Sequence, residues 1–350
     1  MLYSKLGDTG LIVSRLAFGT MTLSSGDPMY GIAKTQGAAV DAIVGQALDA
    51  GINFFDTADV YAKGESEEVL GKALAHVRDE VVIATKVAGR MGEPLVQAGL
   101  SKRHIIWAVE QSLRRLGTDW IDVYIAHNDD PHTPLEETLE ALDAIVRSGK
   151  ARYIGFSNWP AWKVAAALEL QKANGWAHFT HGQMYYSLLG RDIERDLVPL
   201  TERYGIGITA WSPLASGFLS GKYQRGAAAD PDDRMSAIDF IPFDRDKGYE
   251  VVDALRSIAA DIGATVPQVA LAWLLAKRAV TSVIVGASKP SQLADNLGAA
   301  DIRLDGETIA LLDALTTPAE LYPHWHWRQF GDHAARAALA DGYPTKAGIE

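Results

Sequence analysis

The chain has 350 residues, 48% hydrophobic and 22% charged, which is typical of a globular protein and disfavours intrinsic disorder. The formal net charge of −11 disfavours binding to nucleic acid or to anionic membranes. The absence of cysteine excludes a disulfide framework, a thiolate zinc site and a cysteine nucleophile.

The N-terminal stretch 1–16 lacks a basic end followed by a continuous apolar run, and no later uncharged run is long enough to span a bilayer. We therefore expect a cytoplasmic protein. A Gly-Asp-Thr-Gly turn lies between short apolar stretches within residues 1–14, which predicts a β-hairpin ahead of the first long strand. In a barrel, such a hairpin would lie across the floor.

Short apolar runs alternate with amphipathic helical patterns along the rest of the chain. The runs predict eight strands, at 15–20, 53–58, 81–86, 121–127, 152–158, 178–183, 206–211 and 282–287. The intervening patterns predict helices that include 36–50, 66–75, 101–116, 133–148 and 160–172. Ser101 and Thr133 are expected N-caps, and Gly117 and Gly149 are expected at helix C-termini.

Eight strand–helix units predict an α/β fold of the (β/α)8 TIM-barrel class with extra helices. A doubly wound sheet is the competing fold, and no G-x-G-x-x-G follows any strand to support it. Segments 212–249 and 320–350 exceed the eight-unit plan and are expected to form long loops over the active face. No internal repeat is present beyond the strand–helix period, so we expect a single domain over 1–350.

Catalytic groups of barrel enzymes lie at the carboxyl ends of the strands. Asp56 ends the second predicted strand, Lys86 the third and His127 the fourth, while Tyr61 follows Asp56 in its loop. The remaining strand ends supply a second set of polar or aromatic residues: Ser157, Asn158, Gln183, Trp211, Ser288 and Lys289.

A phenol, with a pKa near ~10, is a weak acid at neutral pH, and a neighbouring ammonium lowers that pKa. Lys86 is suited to this task, and Asp56 can hold it charged and oriented. His127 can hydrogen-bond a substrate oxygen or the phenol. Such a group suits carbonyl reduction, because the oxygen needs a proton as a cofactor delivers hydride to the carbon.

Several stretches make the sequence similar to the aldo-keto reductase superfamily over nearly its whole length. They are GINFFDTADVYAKGESEEVLGKAL, VVIATK, IDVYIAH, ARYIGFSNW, GQMYYS, AWSPLASGFLSGKY and VIVGASKPSQLADNL. The chain most resembles bacterial-type members related to potassium-channel β subunits and aryl-alcohol dehydrogenases. The resemblance implies a catalytic tetrad of Asp56, Tyr61, Lys86 and His127, with Tyr61 as acid in reduction and base in alcohol oxidation.

The resemblance also implies a nicotinamide cofactor bound without a Rossmann fold. Ser157, Asn158 and Gln183 would hold the carboxamide, and Trp211 would stack on the nicotinamide ring. The full implied cofactor set is Gly19, Thr20, Met21, Asp56, Ser157, Asn158, Gln183, Trp211, Ser212, Pro213, Leu214, Ser216, Gly217, Gly286, Ser288, Lys289, Gln292, Asp295 and Asn296. Gln292 departs from the arginine that many relatives place against the 2′-phosphate, and Lys289 would compensate. We therefore expect NADP(H), with NAD(H) left open.

Loop positions suggest a substrate pocket with an aromatic mouth suited to bulky or ring-containing carbonyl compounds. Besides Met21, its candidate residues are Tyr30, Asn128, Tyr322, Trp325 and Trp327. The same side chains could instead be structural contacts of the tail. The expected partner is a small carbonyl or alcohol molecule, and the sequence indicates no oligomeric state.

Three other functions use the same features. A Schiff-base lyase would use Lys86 as its nucleophile. A regulatory subunit would bind NADP tightly, turn over slowly and report the redox state to a partner. A glycosidase is disfavoured, because the strand ends offer chiefly one carboxylate, Asp56. No metal is expected at the histidine pairs 178/181 and 324/326, since neither pair has a carboxylate cluster beside it.

Overall fold

The chain forms a closed barrel of eight parallel strands in a computed structural model that describes residues 1–26, 33–226, 234–237 and 239–340. The barrel strands are β3 (Leu16–Gly19), β4 (Phe54–Asp56), β5 (Val82–Val87), β6 (Ile121–Ala126), β7 (Ala151–Ser157), β8 (Phe179–Tyr185), β9 (Gly207–Trp211) and β10 (Val280–Val285). The ring closes where β10 pairs with β3, with Val283 opposite Leu16. All eight predicted strands and the predicted (β/α)8 fold are confirmed.

Helices surround the barrel, because the outward-facing strand residues are apolar and need cover. The surrounding helices are α1 (Ala38–Asp49), α2 (Glu65–Leu74), α3 (Lys102–Leu116), α4 (Leu135–Arg147), α5 (Ala161–Asn174), α6 (Leu197–Tyr204), α8 (Arg245–Ile262), α9 (Val266–Ala276) and α10 (Pro290–Leu297). Further helices are α7 (Arg234–Ala237), α11 (Gly306–Leu315), α12 (His324–Phe330) and α13 (His333–Ala340). The five predicted helices are confirmed to within two residues at each end.

The predicted hairpin is present and closes the floor of the barrel. Strands β1 (Tyr3–Lys5) and β2 (Ile12–Ser14) pair in an antiparallel manner. Leu6 and Val13 are fully buried and join the apolar cluster inside the barrel. The N–H of Asp8 donates to the carbonyl of Gly205 at 2.7 Å, just before β9 begins. The hairpin therefore lies at the amino ends of the strands, which leaves the carboxyl ends open.

Three of the four predicted helix ends agree with the structure. The Ser101 hydroxyl accepts the N–H of His104 at 3.3 Å and caps α3, and Gly117 ends that helix with φ +64°. Gly149 directly follows the last turn of α4 with φ +76°. The prediction that Thr133 caps α4 is wrong, because Pro134 takes that position and the Thr133 hydroxyl donates to Asp130 Oδ2 at 2.7 Å.

Within the described residues, length and apolar composition qualify no individual helix to cross a bilayer. The bent pair of α8 and α9 passes this test when the two helices are taken together, and their axes differ by 94°.

Candidate active site

Strand alternation brings the polar strand ends to one place. Phe54 and Ala84 belong to the apolar cluster inside the barrel. Successive strand residues point to opposite faces, so Asp56 and Lys86, two positions later, also face the interior. His127 follows β6 with the same parity. These polar side chains lie one level above the apolar cluster, at the carboxyl rim of the barrel, by which we mean the carboxyl ends of its strands and the loops that follow them.

Lys86 is the centre of the hydrogen-bonded group at this rim. Its Nζ donates to Asp56 Oδ2 at 2.7 Å, to the Thr57 carbonyl at 2.6 Å and to the Tyr61 hydroxyl at 3.3 Å. The other carboxylate oxygen of Asp56 accepts the Gln183 side-chain amide at 2.7 Å. Because Lys86 is fully buried and Asp56 is 2% exposed, this ion pair is screened very little by solvent.

Burial and neighbouring charges together shift the pKa values of Lys86 and His127 in opposite directions. Burial lowers the pKa of Lys86. The neighbouring Asp56 and Tyr61 raise that pKa by more than burial lowers it, so the pKa of Lys86 is raised overall. Burial, and then the charge of Lys86, lower the pKa of His127 to about 3. The site therefore holds a charged ammonium and a neutral imidazole at neutral pH. The rings of Tyr61 and His127 meet edge to face, with centroids 5.9 Å apart.

An unusual turn presents Tyr61 to the cavity. Ala62, Lys63 and Gly64 follow it with φ of +46°, +54° and +99°. Left-handed backbone is costly for residues with a Cβ, and such strain is characteristic of functional sites. A side chain at Gly64 would place its Cβ 2.6 Å from Cδ of Arg115, so the absence of a Cβ there leaves room for the Arg115 side chain.

A buried polar contact anchors the helix that follows the turn. Glu67, in the first turn of α2, is fully buried and accepts Arg115 Nε at 2.6 Å. The same carboxylate accepts the Thr85 hydroxyl at 2.5 Å. Thr85 immediately precedes Lys86, so Glu67 ties α2 to both α3 and β5. The phenol and the amine are thereby held in one rigid frame.

The group opens into a cavity of about 790 Å³ at the carboxyl rim. Most of the residues predicted from strand ends contribute to its wall. The described lining residues are Gly19, Thr20, Met21, Thr22, Asp56, Val60, Tyr61, Lys63, Arg90, His127, Ser157, Asn158, Gln183, Trp211, Ser212, Pro213, Phe240, Ile284 and Gly286.

An amide and an indole complete the cavity wall on the side away from Lys86. Asn158, with φ +58°, donates to the His127 carbonyl at 2.9 Å, and its Oδ1 accepts Trp211 Nε1 at 3.2 Å. The Trp211 ring contacts the ring of Tyr185, with centroids 5.1 Å apart, and the ring of Phe240, with centroids 6.1 Å apart and planes 21° apart. Phe240 belongs to segment 212–249, so this part of the segment does lie over the active face.

Other residues of the implied cofactor set lie outside this cavity wall: Leu214, Ser216, Gly217, Ser288, Lys289, Gln292, Asp295 and Asn296. Ser216 is 3% exposed, and its hydroxyl oxygen has no hydrogen-bond partner among the described residues. Oε1 of Gln292 accepts the backbone N–H groups of Ser288 and Lys289, at 3.0 and 3.2 Å. The Asp295 carboxylate accepts the Thr265 hydroxyl at 3.0 Å.

The aromatic mouth expected from the tail is not formed by the tail. Tyr322, Trp325 and Trp327 are 73%, 40% and 56% exposed, and none of them lines the described cavity. Their segment is held beside α6 instead, where His324 Nε2 lies 3.8 Å from Asp196 Oδ1.

The other two candidates for the mouth do not reach the cavity wall either. Asn128 is exposed and does not line the cavity, and its Oδ1 lies 3.4 Å from Asn158 Nδ2. Tyr30 falls outside the described residues. The aromatic side chains that do line the cavity are Tyr61, Trp211 and Phe240.

Sequence reasoning missed six lining residues: Thr22, Val60, Lys63, Arg90, Phe240 and Ile284. Two of them had a sequence signal. Lys63 and Arg90 follow Tyr61 and Lys86 within four residues, in loops at the carboxyl rim.

The two histidines of the candidate pair 178/181 lie in different environments. His178 is exposed, whereas His181 is fully buried inside the barrel, with its ring 6.1 Å from that of Phe54. Burial and the charge of Lys86 lower the pKa of His181 to about 3. Across the described ranges, no group of three or more potential metal ligands occurs.

The fold and the buried ammonium–phenol contact at its rim are those of a (β/α)8-barrel oxidoreductase. The model of the Aldo/keto reductase family matches residues 15–317. The chain therefore belongs to the aldo/keto reductase family, as the resemblance of its motifs indicated.

Relatives with several different names align over most of both chains. A putative voltage-gated potassium channel subunit beta of Schizosaccharomyces pombe is 38% identical, over 90% of this chain and 94% of the relative. The versiconal hemiacetal acetate reductase of Aspergillus parasiticus is 33% identical, over 92% and 99%. The uncharacterized oxidoreductase YrpG of Bacillus subtilis is 36% identical, over 89% and 95%. The family thus includes chains named as reductases and chains named as channel subunits.

Proposed function

We propose that the protein is an NADP(H)-dependent reductase that converts aldehydes or ketones to alcohols, reversibly. The observation that carries the proposal is the Tyr61 hydroxyl 3.3 Å from the buried Lys86 ammonium, on the wall of the cavity. Family membership supports the same chemistry, as do the names of the reductase and oxidoreductase relatives.

The residues at the rim fit a nicotinamide dinucleotide. Trp211 offers an aromatic face, and Asn158 offers an amide for the carboxamide. The Ser216 hydroxyl, which has no hydrogen-bond partner in the described part of the chain, and the left-handed backbone at Ser212 and Ser216 suit contact with a phosphate. Reduced nicotinamide, when bound, supplies the hydride to the carbonyl carbon.

Side chains of the protein donate and accept the proton in this reaction. Tyr61 donates its hydroxyl proton to the carbonyl oxygen as that oxygen becomes an alkoxide, and Lys86 stabilises the negative charge left on the phenol. Asp56 keeps Lys86 charged, and Gln183 holds Asp56 in place. His127, neutral because of its lowered pKa, directs a ring nitrogen at the carbonyl oxygen. In alcohol oxidation Tyr61 takes the proton back.

Lys289 is the residue we propose for the 2′-phosphate that distinguishes NADP from NAD. Gln292 is engaged at the start of α10, where its Oε1 accepts two backbone N–H groups, and its neutral amide offers a phosphate no positive charge. A Lys289→Met variant is expected to bind NADPH more weakly and to bind NADH with unchanged affinity. Equal weakening of both cofactors would contradict this assignment.

The competing functions differ in what they require of the site. A Schiff-base lyase needs a neutral amine at Lys86, but that amine donates three hydrogen bonds and its raised pKa keeps it protonated. A regulatory, NADP-binding subunit with slow turnover is supported by relatives named as potassium channel β subunits.

Steady-state NADPH oxidation with aromatic aldehydes and small ketones tests the proposal. Turnover at rates of about 1 s⁻¹ or faster is expected for a reductase. Tight NADPH binding without turnover would favour the regulatory role, and borohydride trapping of substrate on Lys86 would favour the lyase.

A further inference from the structure

The wall of the cavity carries an excess of positive charge although the chain as a whole is acidic. The described charged residues on the wall are Asp56, Lys63 and Arg90, and Lys86 is fully buried beside Asp56. Asp56 and Lys86 neutralise each other across 2.7 Å. The guanidinium group of Arg90 therefore adds positive charge to this wall, although the chain has a formal charge of −11.

Arg90 is held by one end of its guanidinium group. Its Nη1 donates to the carbonyls of Gly92 and Pro94, at 3.2 and 3.1 Å. Neither contact uses Nε or Nη2, and no carboxylate in the described part of the chain forms an ion pair with Arg90. A guanidinium carries five N–H donors in a planar fork that matches a carboxylate. The side chain is thus partly preorganised and retains donors for an anion.

The loop that carries Arg90 is ordered by its own backbone. The N–H of Met91 donates to the Gln97 carbonyl at 2.9 Å, and the N–H of Gly99 donates to the Ala88 carbonyl at 2.8 Å. This loop also packs closely on the loop of Tyr61, because a Cβ on the residue preceding Arg90 would lie 1.9 Å from a methyl carbon of Val60. The backbone at Arg90 is therefore held close to the loop of Tyr61, and the Arg90 side chain extends from it into an exposed position.

Lys63 adds a second cation from the adjacent loop. It lies two residues after Tyr61 and lines the same cavity. Its φ of +54° is a strained conformation for a residue with a Cβ, and the turn adopts it directly after the phenol. Lys63 is also exposed, so its charge is more strongly screened than a buried one would be.

Arg90 lies across the barrel from the loop after β9, which is one of the loops expected to hold cofactor phosphates, and three strands from the loop of Lys289 after β10. Lys63 follows β4 and Arg90 follows β5, whereas Ser212 and Ser216 follow β9. In the closed strand order, β5 is four strands from β9 in either direction, on the opposite side of the barrel. The cation pair is thus placed for a second anion, on the substrate.

On this basis we propose that the site takes anionic carbonyl compounds, aldehydes or ketones that carry a carboxylate, and that Arg90, assisted by Lys63, binds the carboxylate. This inference rests on the carbonyl reduction proposed above. The aromatic ring of Phe240, which lines the same cavity and is not assigned to the nicotinamide, favours a flat ring between the carboxylate and the carbonyl group.

A matched pair of probes tests the inference: 4-formylbenzoate, which is anionic, and its neutral methyl ester. We expect the wild-type protein to have a higher kcat/KM for the anion, and added salt to reduce that preference. Arg90→Met should lower the anion-to-ester ratio of kcat/KM by about ten-fold, the size expected for one charge-assisted hydrogen bond. Lys63→Met should lower the same ratio by a smaller factor.

Two further variants separate recognition from structure. Arg90→Lys keeps the charge and should retain part of the preference for the anion, even if loss of the Gly92 and Pro94 contacts loosens the loop. Arg278→Met removes one positive charge just before β10, at the barrel floor, and should leave kcat/KM for both substrates unchanged. Arg278 is exposed and pairs with Glu202 at 3.2 Å.

The outcomes distinguish this inference from the proposed function. Turnover of the ester with no preference for the anion would overturn the inference alone. The inference also fails if Arg90→Met weakens NADPH binding without changing the ratio, because the cation would then serve the cofactor. Failure of the wild-type protein to reduce either compound would overturn both proposals.

Discussion

The buried pair of Asp56 and Lys86 makes Asp56→Asn the most informative perturbation of the site. The substitution keeps the shape of the side chain but leaves the Lys86 ammonium, fully buried, without its counterion. Removing one member of a buried ion pair costs about 3–5 kcal/mol, so we expect the free energy of unfolding to fall by that amount at pH 7. Turnover should fall as well, because the phenol loses a charged neighbour.

The effect of Asp56→Asn on the free energy of unfolding should depend on pH in a defined direction. In the wild type the raised pKa of Lys86 means that its stabilisation is complete below the unfolded pKa of about 10.4 and is lost as pH rises through the folded pKa. In the Asn variant, burial is no longer offset by Asp56, so the pKa of Lys86 falls. Between the lowered folded pKa and the unfolded pKa, Lys86 is protonated in the unfolded chain but not in the folded one. The free energy of unfolding of the variant therefore increases as pH rises toward about 10.

Urea unfolding of both proteins from pH 7 to 10 measures this effect, and the difference in stability should narrow with rising pH. Asp253→Asn is the matched control: Asp253 pairs with Arg256 at 2.9 Å on the surface, 62% exposed, and its loss should cost less than about 1 kcal/mol. An Asp56→Asn variant as stable as that control, with an unchanged pH slope, would refute the reasoning.

Three further predictions follow from the same geometry. Tyr61→Phe should lower kcat by about 10²–10⁴-fold while NADPH still binds, as fluorescence titration would report; normal turnover would remove Tyr61 as the acid. His127 stays neutral in the fold down to about pH 3, whereas it gains a proton in the unfolded chain below about pH 6.5, so stability falls as pH falls between these values. His127→Gln should weaken the pH dependence of the free energy of unfolding between pH 7 and pH 5, by an amount that corresponds to at most about one proton. An unchanged pH dependence in this variant would contradict a buried, neutral His127 ring. Arg115→Met leaves the buried carboxylate of Glu67 without its cation and should cost about 3–5 kcal/mol, together with a loss of kcat; a loss of stability with kcat unchanged would show that α2 does not position Tyr61.

Strand periodicity explains how much of this protein could be predicted from its sequence. Once the strand ending at Asp56 and the strand ending at Lys86 are identified, parallel pairing and alternation require both side chains to face the interior at the same rim. No information about distant contacts is needed. The barrel, its hairpin floor and the convergence of the four polar side chains are therefore accessible from local patterns.

Features set by tertiary contacts were not accessible in the same way. Whether Trp325 covers the cavity depends on where α12 packs, and that position involves the contact of His324 with Asp196. Arg90 lies on the cavity because its loop folds back through backbone hydrogen bonds, which leave no periodic signal in the sequence. Thr133 looks like a helix cap, but Asp130 competes for its hydroxyl.

The central claim is that hydride from a bound nicotinamide and a proton from Tyr61 together reduce a carbonyl group. The most direct measurement follows isotope transfer, with NADPH deuterated at the transferring position incubated with the protein and an aromatic aldehyde. Mass spectrometry of the product should find one deuterium on the carbinol carbon of the alcohol. An alcohol without deuterium, or no alcohol at all, would contradict the account.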